Sequence, residues 1–194
     1  MPNVLDLERA VSVMTGFSGP WGIAGGLGID LFLGRQSRPH ADIDVAVLRA
    51  DQRELRSHLG DCRLEKVVGQ GLAPWAVDER LELPIHEAHA TWFDGYHLEF
   101  LLNERDPRTD EWVFRRDARV RRSMAAAFPG GRNIPYLAPE IVLLYKAKAA
   151  SEKDEADFGV AVAHLTDEQR FWLAQALNLT MPGHCWAGIL SRDA

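Results

Sequence analysis

The stretch that most constrains the fold of this chain is residues 21–47, which read WGIAGGLGIDLFLGRQSRPHADIDVAV. Its apolar start, residues 21–24, predicts a buried strand, and Gly25 and Gly26 end that strand with residues that tolerate positive φ and close backbone approach. Apolar residues at helical spacing over 27–33, followed by a glycine, then predict a short helix. A strand, a glycine turn and a helix N-terminus direct backbone N–H groups and the positive end of a helix dipole at one point, which favours an anion.

Two aspartates follow on a predicted strand. Residues 42–47 read DIDVAV, so alternation places Asp42 and Asp44 on one face and apolar residues on the other. Side chains two residues apart on a strand are roughly 6.5–7 Å apart at their roots. Their carboxylates can therefore converge on hard cations, and like charges this close are costly without one. A Gly-Gly pair alone is usually a plain turn and an Asp-x-Asp alone is usually solvated, but their combination indicates a phosphate and metal site.

This combination resembles the core signature of the polymerase-beta-like nucleotidyltransferase superfamily, in which a Gly-Gly pair precedes an Asp-x-Asp pair. Here 15 residues separate the two pairs, and the string GGLGIDLFLGRQSRPHADID is similar to the antibiotic-modifying branch, the aminoglycoside 2''-O-adenylyltransferases and lincosamide nucleotidyltransferases. The resemblance implies that Gly25, Gly26, Arg35 and Arg38 contact the nucleotide. His40 is a further candidate site residue.

A second strand is predicted over residues 96–102. Alternation places Leu98 and Phe100 on one face and Glu99 on the other, in the middle of an apolar segment. A salt bridge on an edge strand is one interpretation of this glutamate. The resemblance implies another, because family members supply a third acidic ligand from a strand in this position. Glu99 is then a metal ligand, a general base or both, which the sequence does not separate.

The composition of the chain changes after a run of helix-breaking residues at 128–133. We interpret that run as a linker between a catalytic domain, residues 1–128, and a helical domain, residues 134–194. From Pro139 to Phe158 the composition is strongly helix-forming, which predicts one continuous helix.

Three lysines in that helical segment are candidate nucleotide-binding residues. The string YLAPEIVLLYKAKAASEKDEADF resembles the helical region that follows the catalytic domain in the same branch. The resemblance implies that Lys146, Lys148 and Lys153 reach phosphates. Ordinary solvated lysines are the alternative interpretation.

The functions of two further segments are not fixed by the sequence. Residues 112–116 and 118–122 predict an arginine-rich hairpin, interpreted mainly as a solvated ribbon, with one arginine on substrate or triphosphate as the alternative. His86 and His89 have no spacing that indicates a metal site and are left unassigned.

Length and composition set the class of protein. A chain of 194 residues with 46% hydrophobic residues can bury a core as one domain or as two small ones. The element order predicts an α/β (α+β) fold, with a nucleotidyltransferase-type mixed sheet, helices on one side of it, and a small C-terminal helical domain. The net charge of −6 argues against a nucleic-acid partner held through phosphates, and no stretch predicts a membrane span. Two distant cysteines and an acidic N-terminus indicate a cytoplasmic protein without a disulfide scaffold or secretion signal.

The sequence therefore predicts a Mg²⁺-dependent enzyme that transfers AMP from ATP to a hydroxyl of a small molecule, such as an aminoglycoside- or lincosamide-like antibiotic. Asp42, Asp44 and Glu99 are the predicted catalytic residues and would hold two Mg²⁺ ions. The alternative is a non-catalytic nucleotide-binding or regulatory module on the same fold, for example one half of a toxin pair. The sequence does not predict an oligomeric state.

Overall fold

A computed structural model of the protein describes residues 4–130 and 134–191. The helices within these ranges are α1 (Val4–Met14), α2 (Gly25–Leu33), α3 (Gln52–Leu59), α4 (Met124–Ala127), α5 (Pro139–Lys146), α6 (Glu152–Ala161), α7 (Asp167–Thr180) and α8 (Cys185–Leu190). The strands are β1 (Trp21–Ile23), β2 (Asp44–Leu48), β3 (Arg63–Val68), β4 (Gly71–Pro74), β5 (Glu87–Thr91), β6 (His97–Asp106), β7 (Glu111–Val113) and β8 (Arg121–Ser123). Short 3₁₀-helices span Arg49–Asp51, Ala147–Ala149 and Val162–His164.

The strands form one mixed sheet in the order β1-β2-β6-β5-β3-β4. Strands β2 and β6 run parallel, and the other neighbours in this order are antiparallel. The end of β6 also pairs with β7, which pairs with β8, so the predicted arginine-rich hairpin is present. This order places β2, which begins at Asp44, directly beside the middle of β6.

Helices cover both faces of the sheet. One core contains apolar residues of α1 and α3 with the inward-facing residues of β2, β5 and β6. The other core contains Ile29 of α2, Ala46 of β2, Trp112 of β7 and most of the buried residues of α5 to α8. The prediction that helices cover one side is therefore wrong, because α1 and α3 bury one face while α2 and the C-terminal helices bury the other.

The predicted continuous helix over residues 139–158 is also wrong. Helix α5 ends at Lys146, and a new helix begins after Ser151, whose side chain and that of Asp154 form a reciprocal capping box. A capping box satisfies orphan N–H groups at a helix start, so it favours a break at this point. Helix α7 begins with the same device, in which Thr166 pairs with Gln169.

The two halves of the chain meet at the edge of the sheet. The backbone N–H of Ile23 donates to the Pro135 carbonyl at 2.9 Å, and the N–H of Leu137 donates to the Ile23 carbonyl at 2.9 Å. The predicted linker, residues 128–133, is described only as far as residue 130. Residues 1–3 and 192–194 of the two predicted domains also lie outside the described residues, and the domain boundaries stay a prediction.

Candidate functional site

The glycine turn is shaped by side chains that approach its backbone. Gly25, the first residue of α2, has φ +58°, and a Cβ at this position would overlap Oδ2 of Asp44. A Cβ on Gly26 would overlap the Arg38 guanidinium and lie 2.5 Å from the His40 ring. Only residues without a side chain leave room for this approach. The glycines thus bring the N-terminus of α2 next to the carboxylate of Asp44.

Asp44 lies in an acidic cluster on one face of the central strands. It is the register partner of Glu99 on β6, and Glu99 is in turn opposite His89 on β5. Burial raises the pKa of Asp44 to about 6, with further repulsion from Glu87 and an opposing attraction from Lys146.

The pKa of Glu99 is also raised. Burial, together with the charge of Asp44, raises the pKa of Glu99 to about 7. Desolvated carboxylates that lie near further negative charge are a donor set in need of a cation, and their oxygens are the ligands that Mg²⁺ prefers. The residues present therefore fit a divalent cation.

Asp42 does not lie on the strand with Asp44. It precedes β2, is exposed, and lines a cavity of about 410 Å³ that also contains Asp94 and Tyr96. Asp44 instead lines a different cavity of about 360 Å³. The predicted pair of aspartates thus faces two cavities, although the charge of Asp42 still contributes to the raised pKa values of Asp44 and Glu99.

The cavity at Asp44 combines acidic and basic groups. Asp44 and Glu87 line it together with Arg115, Arg116 and Lys148. Burial lowers the pKa of both Arg115 and Arg116, so their positive charges are partly desolvated. Its volume of about 360 Å³ is within the range of roughly 300–1,000 Å³ found for small-molecule sites. An anion placed beside the two arginines would offset the cost of burying them.

An aromatic ring supports the two arginines. The guanidinium carbons of Arg115 and Arg116 are 4.9 Å and 5.3 Å from the centroid of the Tyr145 ring, which also lines the cavity. Arg116 further donates a hydrogen bond to the Tyr145 carbonyl at 3.2 Å. The hairpin of β7 and β8 is therefore more than a solvated ribbon, because its connecting loop forms one wall of the cavity.

The predicted lysines are placed differently from one another. Lys146 lines the cavity, and its Nζ lies 2.6 Å from Asp154 and 3.0 Å from Asp157. Lys148 is exposed and also lines the cavity, whereas Lys153 is exposed and is not among the lining residues. A nucleotide-binding role for each of the three stays a prediction.

The basic residues between the glycines and the aspartates hold a loop. Arg38 makes two hydrogen bonds to Asp157 of α6, at 2.7 Å and 2.8 Å. His40 is buried and lies 2.5 Å from Asp30 of α2, a carboxylate that also accepts a hydrogen bond from the backbone of Ser37. These contacts fix the connection from α2 to β2 and so position Asp44.

Arg35 is exposed just after α2 and does not line the cavity at Asp44. Its predicted contact with the nucleotide, like those of Arg38 and the glycines, stays a prediction. The same holds for the site role of His40.

Sequence reasoning did not find Glu87 and His89, because it did not predict β5. This strand reads EAHAT, and its buried face consists of Ala88 and Ala90 rather than large β-branched residues. The alternation of small apolar and polar residues was the available signal.

Comparison with known proteins identifies the family. A model of the aminoglycoside-2''-adenylyltransferase family matches residues 6–160. The chain belongs to this family. It is therefore an enzyme of the nucleotidyltransferase class, as the sequence predicted, and the family is one of antibiotic adenylyltransferases. A search of curated proteins found no significant match.

Solved structures of two antibiotic adenylyltransferases share the fold. The structure of ANT(2'')-Ia in complex with adenylyl-2''-tobramycin matches with a TM-score of 0.59 and 16% identity, over 89% of this chain and 95% of that one. The lincomycin-bound lincosamide adenylyltransferase LnuA matches with a TM-score of 0.56 and 16% identity, over 81% of this chain and 94% of that one. A solution structure of ANT(2'')-Ia gives a TM-score of 0.56 and 18% identity, over 91% of each chain. The predicted fold class is confirmed.

Across residues 4–130 and 134–191, every helix is too short or too polar to cross a bilayer.

Proposed function

We propose that this family member transfers AMP from ATP to a hydroxyl of a small, cationic antibiotic, with pyrophosphate as the leaving group. The observation that carries the proposal is the cavity at Asp44, in which partly desolvated arginines and acidic strand residues line one space. A nucleoside triphosphate needs both: cationic groups for its phosphates, and carboxylates that hold a cation beside the reacting phosphorus.

The chain supplies several groups for the triphosphate. The N-terminus of α2 at Gly25 and Gly26 presents backbone N–H groups with a positive dipole end. Arg115 and Arg116 offer planar guanidinium groups that pair with phosphate oxygens. Lys148 adds a third positive charge at the same cavity. We assign the nucleotide to this space on the basis of that charge distribution.

The acidic cluster would hold Mg²⁺, with Asp42, Asp44 and Glu99 as ligands for the two ions that the sequence predicts. Mg²⁺, when bound, neutralises negative charge that develops on the phosphates. Glu99 has a second possible duty, because a carboxylate with a pKa of about 7 can accept the acceptor's hydroxyl proton near neutral pH. The parallel pairing of β2 and β6 holds Glu99 beside Asp44, so the proton acceptor and the phosphate-binding end of the site are adjacent.

The second cavity suits a cationic acceptor. Asp6, Asp42 and Asp94 line it with the single arginine Arg9, which pairs with Asp94 at 2.5 Å. Its lining thus carries a net negative charge, which attracts the protonated amines of an aminoglycoside. The related structures contain adenylyl-tobramycin and lincomycin, which supports an antibiotic acceptor of one of these classes. A cytoplasmic location, where ATP and Mg²⁺ are abundant, belongs to the same proposal.

The proposal is tested by incubating the full chain with ATP, Mg²⁺ and a panel of acceptors, and measuring pyrophosphate release together with the mass of the product. The panel contains an aminoglycoside with a 2''-hydroxyl, the same scaffold without that hydroxyl, a lincosamide and a neutral polyol. We expect acceptor-dependent pyrophosphate and an AMP-modified product with one of the antibiotics.

Glu99→Gln is the matched variant, because it keeps the shape of the side chain and removes its charge. It should bind ATP and turn over at least about a hundredfold more slowly, a loss of about 2.7 kcal/mol in the transition state. ATP binding without acceptor-dependent pyrophosphate in the wild type would instead favour the non-catalytic nucleotide-binding module.

A further inference from the structure

Two histidines and Glu99 form a compact cluster on the sheet face that carries the acidic residues. One ring nitrogen from each of His89 and His97 and one carboxylate oxygen of Glu99 lie within 4.8 Å of one another. The strand register explains the cluster, since His89 on β5 is directly opposite Glu99 and His97 precedes Glu99 by two residues on β6. The two imidazole rings are 4.9 Å apart at an angle of 76°, and Nε2 of His97 is 3.8 Å from Oε1 of Glu99.

A neighbouring side chain lies within hydrogen-bond distance of a ring nitrogen of each histidine. The Thr91 hydroxyl lies 3.0 Å from Nδ1 of His97, and a carboxylate oxygen of Glu87 lies 2.7 Å from Nε2 of His89. Hydroxyl and carboxylate partners of this kind orient the histidine ligands of metal sites and select the tautomer that keeps a lone pair for the ion. The cluster therefore has ligand atoms and an orienting shell around them.

From this geometry we infer that His89, His97 and Glu99 form a site for a borderline divalent transition metal ion of the Zn²⁺ type. Two imidazoles and one carboxylate are a common donor set for zinc, with a fourth position left to water. Mg²⁺ prefers oxygen ligands, so it would not select this set over the carboxylates at Asp44. Ligand atoms around a tetrahedral zinc are about 3.4 Å apart for bonds of about 2.1 Å. The three ligand atoms, which lie within 4.8 Å of one another, would have to approach by about 1.4 Å at most to reach that value.

Glu99 belongs both to this metal site and to the proposed catalytic residues, so zinc binding should affect catalysis. If Glu99 serves adenylyl transfer as proposed above, an ion held by His89 and His97 occupies the same carboxylate. Zn²⁺ then inhibits transfer because Glu99 is no longer available for catalysis. Mg²⁺ does not relieve this inhibition, because it does not compete with Zn²⁺ for the two imidazoles. This consequence rests on the proposed function, whereas the metal site itself does not.

Direct metal binding tests the site without any turnover. The full chain is freed of metal with a chelator and titrated with Zn²⁺ in a calorimeter, and with Co²⁺ while its visible absorption is recorded. We expect one ion per chain. His89→Ala and His97→Ala should each weaken zinc binding at least about tenfold. This is the lower limit of the loss in affinity that follows when a residue supporting a metal ligand is changed. His164→Ala, which changes an exposed histidine outside the cluster, should bind as the wild type does.

The two cysteines provide a further control, because thiolates also bind zinc. The double variant Cys62→Ser, Cys185→Ser should keep the full affinity. Thermal unfolding of each variant, recorded without metal, confirms that it is folded. The inference is overturned if the wild type takes up no stoichiometric ion, if both histidine variants bind as tightly as the wild type, or if the cysteine variant alone loses the site.

A rate measurement separates this inference from the proposed function. With Mg²⁺ fixed, added Zn²⁺ should lower the transfer rate of the wild type at least about fivefold more than that of His97→Ala, each compared with its own zinc-free rate. Zinc binding without any adenylyl transfer would leave the metal site standing and remove the proposed function. Adenylyl transfer without zinc binding would do the reverse.

Discussion

Two carboxylate clusters in this protein have opposite electrostatics. Asp157 on α6 accepts two hydrogen bonds from Arg38 and lies 3.0 Å from Lys146. Burial alone would raise the pKa of Asp157, but the hydrogen bonds from Arg38 and Lys146 outweigh it, and the pKa is lowered. At Asp44 and Glu99 the attraction from neighbouring positive charges does not outweigh desolvation, and the pKa values rise to about 6 and about 7.

The difference between the clusters is the supply of positive charge. At Asp157 the chain provides its own cations and so joins the α2–β2 connection to the C-terminal helices. At Asp44 and Glu99 the chain places carboxylates side by side and leaves the charge to be balanced by a bound ion or a proton. We infer that the first cluster stabilises the fold and that the second binds a ligand. Four substitutions test this difference between the clusters.

The largest effect is expected from Asp44→Asn. We expect the rate of adenylyl transfer to fall at least about a thousandfold, about 4 kcal/mol of barrier, because the amide cannot replace a charged ligand in the acidic cluster. The folded state should be no less stable, since a repelling carboxylate has been removed. Steady-state kinetics and urea unfolding measure the two quantities. Asp61→Asn, at an exposed aspartate, is the control, and retention of more than about a tenth of the wild-type rate by Asp44→Asn contradicts the site.

Asp157→Asn should act on stability instead of chemistry. Removing one partner from a buried ion pair costs about 3 kcal/mol, and here Arg38 and Lys146 would both face a neutral amide. Urea unfolding should show this loss, while Glu152→Gln, at an exposed acid of the same helix, should change stability by less than about 0.5 kcal/mol. If the two variants unfold at the same urea concentration, Asp157 does not stabilise the fold as its contacts indicate.

The pH dependence of stability should separate the clusters in the absence of divalent cations. The folded-state pKa of Asp44 is about 6, above its usual value of 3.8. Between about pH 3.8 and about pH 6 the folded state therefore keeps a proton that the unfolded state has lost, so the contribution of Asp44 to stability falls as pH rises through this window and levels off above it. The stability advantage of Asp44→Asn over the wild type should grow by about 1 kcal/mol between pH 5 and pH 8, since one pKa unit corresponds to about 1.4 kcal/mol.

Asp157 provides the opposite case for the same experiment. Its pKa is lowered, so its stabilising contribution is fully present above its unfolded value and is lost only as pH falls through the lower folded value. The deficit of Asp157→Asn should therefore stay constant between pH 5 and pH 8. Parallel stability curves for the wild type and both variants over this range would mean that the two clusters do not differ in charge balance.

The smallest effect concerns two exposed lysines. Lys148 lines the cavity at Asp44 and Lys153 does not. We expect Lys148→Ala to raise the KM for ATP about fivefold, about 1 kcal/mol of lost attraction to phosphate. Lys153→Ala should change it less than twofold. Equal effects in initial-rate measurements would show that the nucleotide extends beyond this cavity.

Local patterns in the sequence predicted the parts of the fold that depend on neighbouring residues. Alternation placed Leu98 and Phe100 in the core and Glu99 on the other face, and the structure confirms these faces. Helical spacing and a following glycine predicted α2 and its end. Strand β5 was not predicted, because its core face is built from alanines whose signal is weak.

Such local patterns do not predict contacts between segments that are distant in sequence. Asp42 was placed with Asp44 by alternation, yet the chain enters β2 only at Asp44, and the two aspartates line different cavities. The partner of Arg38 is 119 residues away in sequence, and no spacing rule identifies it.

The sequence by itself determined the family, the glycine turn, the mixed α/β class and the positions of Asp44 and Glu99 on their strands. Each of these follows from a local motif or from the period of side chains along one element. Only the tertiary structure decided which carboxylates have a lowered pKa through direct ion pairs and which keep a raised pKa. The physical reason is that the charge state of a buried group depends on what packs around it, and at Asp157, Asp44 and Glu99 those neighbours come from separate strands and helices.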